Sequence, residues 1–188
     1  MATAVEISGK VSVLPYSAAF DAAVERGNVF AAANQTTVTT QAGLSATTPA
    51  LTLSALVAGG KRVRIWYVSA VGLVAAAAGA AVWATMGGDG TANPSSVTNA
   101  TVRNMKTGAI ALPGGVGAYS VATLPAAPVA IGQLGAQLTG AITTTPTVAP
   151  FERWYNGALW LAPGFNFSIQ TSTATTLFCE YIFEIVDA

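Results

Sequence analysis

The sequence predicts an all-β fold, a sandwich or barrel of roughly eight to ten strands, preceded by one short helix. Three observations predict it. Short runs of β-branched, aromatic and other apolar residues recur along the chain, and several alternate with polar ones. Turn-forming clusters separate these runs, at Gly59-Gly60, Gly87 to Ser96, Pro113-Gly114-Gly115 and Pro163-Gly164. Convincing helical spacing occurs in one place only, residues 18–26.

Residues 1–16 read as an extended N-terminal arm or first strand, in which Val5, Ile7, Val11 and Val13 alternate before Pro15. Ser17 stands as an N-cap for a helix over 18–26. Phe20 and Val24, four apart, share its apolar face. Gly27 follows where a helix end favours a left-handed residue. Val29 to Ala33 and Thr36 to Thr40 are β-prone, and Leu51, Leu53 and Ala55 alternate after Pro49.

Residues 61–86 read as a hairpin, with a small-residue connection at Ala75 to Gly79 and a return strand from Ala81 to Met86. Strict alternation places Val63, Ile65, Tyr67, Ser69 and Val71 on one face of its first strand. Arg62, Arg64, Trp66 and Val68 take the other. Val97 to Leu112 holds one or two strands, Tyr119 to Leu124 another, and 125–150 a long loop with a strand inside it.

Phe151, Trp154, Tyr155 and Trp160 are expected to supply core mass. After Pro163-Gly164, Phe165, Phe167 and Ile169 alternate with Asn166, Ser168 and Gln170. Leu177, Cys179, Tyr181, Phe183 and Ile185 form the buried face of the last strand, with Glu180 and Glu184 on a solvated or interface-facing side. Residues 17–188 are expected to be a single domain behind the arm.

Composition narrows the function. The 188 residues include 8 Lys+Arg, 8 Asp+Glu, no His and one Cys; only 9% are charged and 52% are hydrophobic. Missing histidine removes the usual general base and commonest metal ligand. A single cysteine leaves no internal disulfide framework. Zero net charge argues against a generally basic nucleic-acid binder. Met1 to Leu14 interrupts its apolar residues with Glu6 and Lys10, so no signal peptide is expected. The uncharged run Ile65 to Gly88 is long enough to span a bilayer, but Gly72, Gly79 and its alanines favour two strands and no membrane.

The remaining chemical candidates read as structural. Cys179 lies on an apolar strand face, as a core thiol does. Glu180 and Glu184 would stand roughly 13 Å apart along a strand, beyond the roughly 5–9.5 Å of a glycosidase pair. Asp89 to Asn93 fails the calcium-loop pattern, because Pro94 and Ala100 occupy its turn and bidentate positions. No catalytic residue, metal or cofactor is therefore expected. Lys61, Arg62 and Arg64 form the densest basic cluster, read as edge protection or a protein-partner contact. Trp154 and Trp160 share strand parity, which suits either a carbohydrate platform or, as favoured here, core packing.

Arg26-Gly27-Asn28-Val29-Phe30, Ala33-Asn34-Gln35 and the threonines of 36–40 carry a resemblance that continues through Ala46 to Leu51 and Gly59-Gly60-Lys61. It returns at Leu161 to Gly164 and Phe167 to Thr171. These segments resemble a group of tailed-bacteriophage virion proteins, while 88–150 adds little. The resemblance implies a jelly-roll-like antiparallel β-sandwich that decorates or cements a capsid. It implies binding to the major capsid protein and to itself, a trimer being favoured. It also implies a place on the capsid surface after synthesis in the bacterial cytoplasm. Arg26, Gly27, Asn28 and Phe30 match the signature in structural roles. Val5, Ile7, Val11 and Val13 on the arm, with Lys61, Arg62 and Arg64, are the candidate partner-binding residues. The alternatives are another virion part (tail, neck or head fibre) and a carbohydrate-binding adhesin module.

Overall fold

The computed structural model describes residues 5–7, 11–13, 16–72, 80–137 and 150–188. Two short strands, β1 (Val5–Ile7) and β2 (Val11–Val13), precede helix α1 (Tyr16–Glu25). Then come β3 (Val29–Ala33), the two-residue β4 (Val38–Thr39), β5 (Thr52–Ala55), β6 (Lys61–Gly72) and β7 (Ala80–Gly88). Next are β8 (Ser95–Asn99), β9 (Thr101–Asn104) and β10 (Val116–Thr123). Last come β11 (Val129–Gln137), β12 (Phe151–Leu161), β13 (Phe165–Thr171) and β14 (Thr176–Asp187).

Two antiparallel sheets carry most of these strands, as a β-sandwich requires. One runs β11-β7-β13-β5-β10-β8, the other β12-β6-β14-β3-β9, with β4 beside β14. Four pairings are nested: β3 with β14, β5 with β13, β6 with β12, and β7 with β11. Strands β8, β9 and β10 fall between the nested halves in sequence and widen both sheets, β9 beside β3 and β10 beside β5. β1 and β2 pair with each other as a separate two-stranded sheet.

Period-two alternation builds the core. Leu177, Cys179, Tyr181, Phe183 and Ile185 of β14 are buried as expected and meet Phe167 and Ile169 of β13 within one cluster. Phe167 lies edge-on to Tyr181 at 5.2 Å, and Phe30 stacks on Phe183 at 6.0 Å. The Tyr181 hydroxyl donates to the Leu51 carbonyl at 2.7 Å, which keeps a wholly buried phenol paired. Burial pushes the Cys179 thiol far above its ordinary range, so it behaves as an inert core group. Gly132 and Gly135 of β11 leave room for Arg153 and Phe151 of β12, and a Cβ at either glycine would collide with them.

Several expectations need correction. Residues 61–86 are not a hairpin: β6 pairs with β12 and β14, and β7 with β11 and β13, in different sheets. Each strand thereby gains two long ladders instead of one. The expected connection at Ala75 to Gly79 lies outside the described residues. Nor does β6 alternate strictly. A register shift leaves Trp66 as an extra residue between Ile65, opposite Phe183, and Tyr67, opposite Ile182. The buried set then passes from Val63 and Ile65 to Val68 and Ala70.

The helix starts at Tyr16, ahead of the expected Ser17 cap, and ends at Glu25. Asn166, Ser168 and Gln170 do alternate with the apolar side chains of β13, yet they too are buried. Ser168 sits between Thr52 and Thr85 in register and lies within 2.9 Å of the Thr85 hydroxyl. The polar side of this central strand is therefore a buried layer of amides and hydroxyls.

Candidate functional site

The outer side of the β12-β6-β14-β3 sheet gathers most of the chemistry. Its geometry starts at the end of α1. Gly27 takes φ +75°; its N–H donates to Val24 O at 2.8 Å, and the Asn28 N–H donates to Ala23 O at 3.2 Å. That pair of bonds closes the helix in a Schellman turn. The turn delivers Arg26 over β14, where its Nη2 lies 3.2 Å from Glu184 Oε1. Arg64 reaches the other carboxylate oxygen at 3.5 Å and donates from Nε to Gly157 O at 2.7 Å.

Glu184 is only 2% exposed, so its carboxylate is a buried charge held by two arginines. The expectation of a solvated or interface-facing glutamate is corrected here. The helix end and the β12 bulge cover it, and Gly157 within that bulge has φ +70°. The Arg64 guanidinium also lies 4.8 Å from the Trp66 ring and 5.1 Å from the Trp160 ring. Phe20 meets Trp66 edge-on at 5.1 Å, which seats the helix on the sheet.

Beyond this clamp the sheet presents two cross-strand rows. In one, Trp154 of β12 stands opposite Tyr67 of β6, and Tyr67 opposite Ile182 of β14. The Trp154 and Tyr67 rings are 4.7 Å apart at 46°. In the next row Ser69 stands between Glu152 and Glu180. Burial raises the Tyr67 phenol above its ordinary value; a Ser69 hydrogen bond lowers it, and the Glu152 and Glu180 charges raise it. Trp154 is 56% exposed and Trp160 43%. The expectation that these two tryptophans fill the core is thus corrected. Their shared parity holds, but it points them outward, and Tyr155 and Phe151 of the same strand pack on the core instead.

The expected partner-binding residues are dispersed. Lys61 is paired with Asp187 at the end of β6, Arg64 is committed to Glu184, and Arg62 is exposed. In the N-terminal sheet Val5 stands opposite Val13 and Ile7 opposite Val11, with their side chains outside the described part. Of the signature residues, Arg26 and Gly27 build the clamp. Asn28 accepts from the Ile185 N–H at 2.9 Å, and Phe30 enters the core.

Sequence reasoning missed Glu184 as a partner of both arginines, because the strand pairings that join them span more than half the chain. Among the described residues no group of three or more His, Cys, Asp or Glu could hold a metal ion. No helix among them is long and apolar enough to cross a membrane. No protein-family model, curated protein or solved structure matches this chain.

Proposed function

We propose that this chain is a jelly-roll-type virion structural protein of a tailed bacteriophage. In this reading it decorates or cements the capsid, binds the major capsid protein as a homotrimer, and works by binding rather than catalysis. It is made in the host cytoplasm and ends on the capsid surface. The observation that carries the reading is the nested strand order. Setting β4 and the β8–β10 insertion aside, eight strands pair first with last: β3·β14, β5·β13, β6·β12 and β7·β11. A long antiparallel hairpin rolled over itself gives that order, and double Greek keys of this kind recur in capsid and lectin domains.

The distribution of charge supports an assembly role. From Thr107 to Phe151 the chain carries no charged residue. That tract includes edge strand β11, where Val129 is 68% and Ile131 41% exposed. Edge strand β8 is exposed along its length and equally uncharged. A free protein normally guards such edges with charge; an uncharged edge loses little solvation when a neighbour covers it. The N-terminal β1 and β2 segments supply β-prone backbone for a neighbouring copy or shell.

Deletion of residues 2–16 tests the reading. The shortened chain should keep its β-rich circular dichroism, yet no longer co-sediment with shells of the major capsid protein or form trimers by light scattering. Normal decoration by the shortened chain would remove the arm from the mechanism. Failure of the full-length chain to co-sediment would remove the capsid role itself.

A further inference from the structure

The geometry points to a second binding site on the outer sheet face: Trp154, Tyr67 and Trp160, with Glu152, Ser69 and Glu180, form a platform for a neutral oligosaccharide. The assignment stands apart from the capsid role and does not depend on it. Trp154 and Trp160 are 56% and 43% exposed, too much for core residues, and no element among the described residues covers them. Both are held in place from the side. Tyr67 packs against Trp154 at 4.7 Å, and the Arg64 guanidinium, fixed by Glu184 and Gly157, lies 5.1 Å from the Trp160 ring. A ring fixed before binding loses little entropy when a ligand stacks on it.

The neighbouring row defines the ligand. Glu152 and Glu180 flank Ser69 across three strands. Ionised carboxylates only accept hydrogen bonds, and these two have no ion pair among the described salt bridges. A ligand for this face must present apolar C–H surface to the rings and hydroxyl donors to the acids. A neutral sugar presents both. At this row an anionic glycan, a nucleic acid or an anionic bilayer would meet like charge. A protein partner would have to bring its own cations to bury these two carboxylates. Trp154 pairs with Tyr67 and Trp160 with Arg64, three positions apart on β6. That places their backbone positions no more than about 10 Å apart along β6, a span that fits a short chain of sugars better than a single one.

The test is an array of neutral, sialylated and sulfated glycans probed with the full chain, followed by calorimetry on the retained neutral sugars. Retention of neutral oligosaccharides is expected. Trp154→Ala and Trp160→Ala should each weaken binding by about tenfold, the scale of an aromatic anchor, while Trp154→Phe should keep most of it. Since both rings are exposed, unchanged circular dichroism is expected for all three variants. Four results would overturn the assignment: no glycan retained, only charged glycans retained, retention indifferent to both alanine variants, or Trp154→Ala splitting an oligomer without affecting glycan binding. The last would make this face a contact between copies of the chain.

Discussion

Glu184 concentrates the physics of single residues in this protein. Its carboxylate is nearly out of water and takes one arginine on each oxygen. Removing it leaves Arg64, 28% exposed, beside two indole rings with its main countercharge gone. Arg26, 58% exposed, turns to solvent more cheaply. We expect Glu184→Ala to lower stability by about 1–3 kcal/mol in urea unfolding. Arg62→Ala, at an exposed position two residues before Arg64, should stay within about 0.5 kcal/mol. Equal effects from the two would deny the clamp its role. The sequence showed Arg26 and Arg64 as a signature residue and part of a basic cluster, respectively. It showed Glu184 only as a polar position on a strand, because ion-pair partners on different strands leave no local spacing to read.

At the scale of elements, the strands were legible and their partners were not. The last strand could be read from Leu177 to Ile185 because its apolar side chains repeat every second residue. β6 defeated the same rule at Trp66, since its bulge is set by pairing with β14, whose sequence lies far downstream. Trp154 and Trp160 were placed on one face correctly, but which side of the sheet that face meets depends on β11 and α1. Turns show a similar division. Gly27 and Gly59 both read as turn glycines, yet space remains open around Gly27, whereas a Cβ on Gly59 would collide with the Gly115 backbone of a second turn. Gly27→Ala should therefore cost only about 1 kcal/mol for its positive φ. Gly59→Ala must push two turns apart, and its thermal midpoint should fall several times further. Similar midpoints would mean that the two turns do not touch.

For the whole molecule, the buried titratable groups set an alkaline limit. Burial holds Tyr181 well above its ordinary 10.0 and Cys179 far above its ordinary 9.0; Tyr119 and Tyr155 are raised as well. Each folded value exceeds the unfolded one, so the folded state keeps protons that the unfolded state releases. Stability is then intact below about pH 9 and falls as pH rises beyond it, by up to about 1.4 kcal/mol per pH unit for each of the wholly buried Cys179 and Tyr181, and by less for Tyr119 and Tyr155, which are less deeply buried. Urea midpoints at several pH values above 8 should show the fall, and Tyr181→Phe should make it shallower. A midpoint unchanged up to about pH 11 would contradict these directions.

The capsid role is tested most directly by cryo-electron microscopy of the intact particle that carries this chain. The reading predicts threefold clusters of a two-sheet sandwich on the outside of the shell where capsomers meet, with N-terminal segments reaching neighbouring subunits. Density for the chain only in the tail, neck or fibres, or no copy of it in purified particles, would contradict that role.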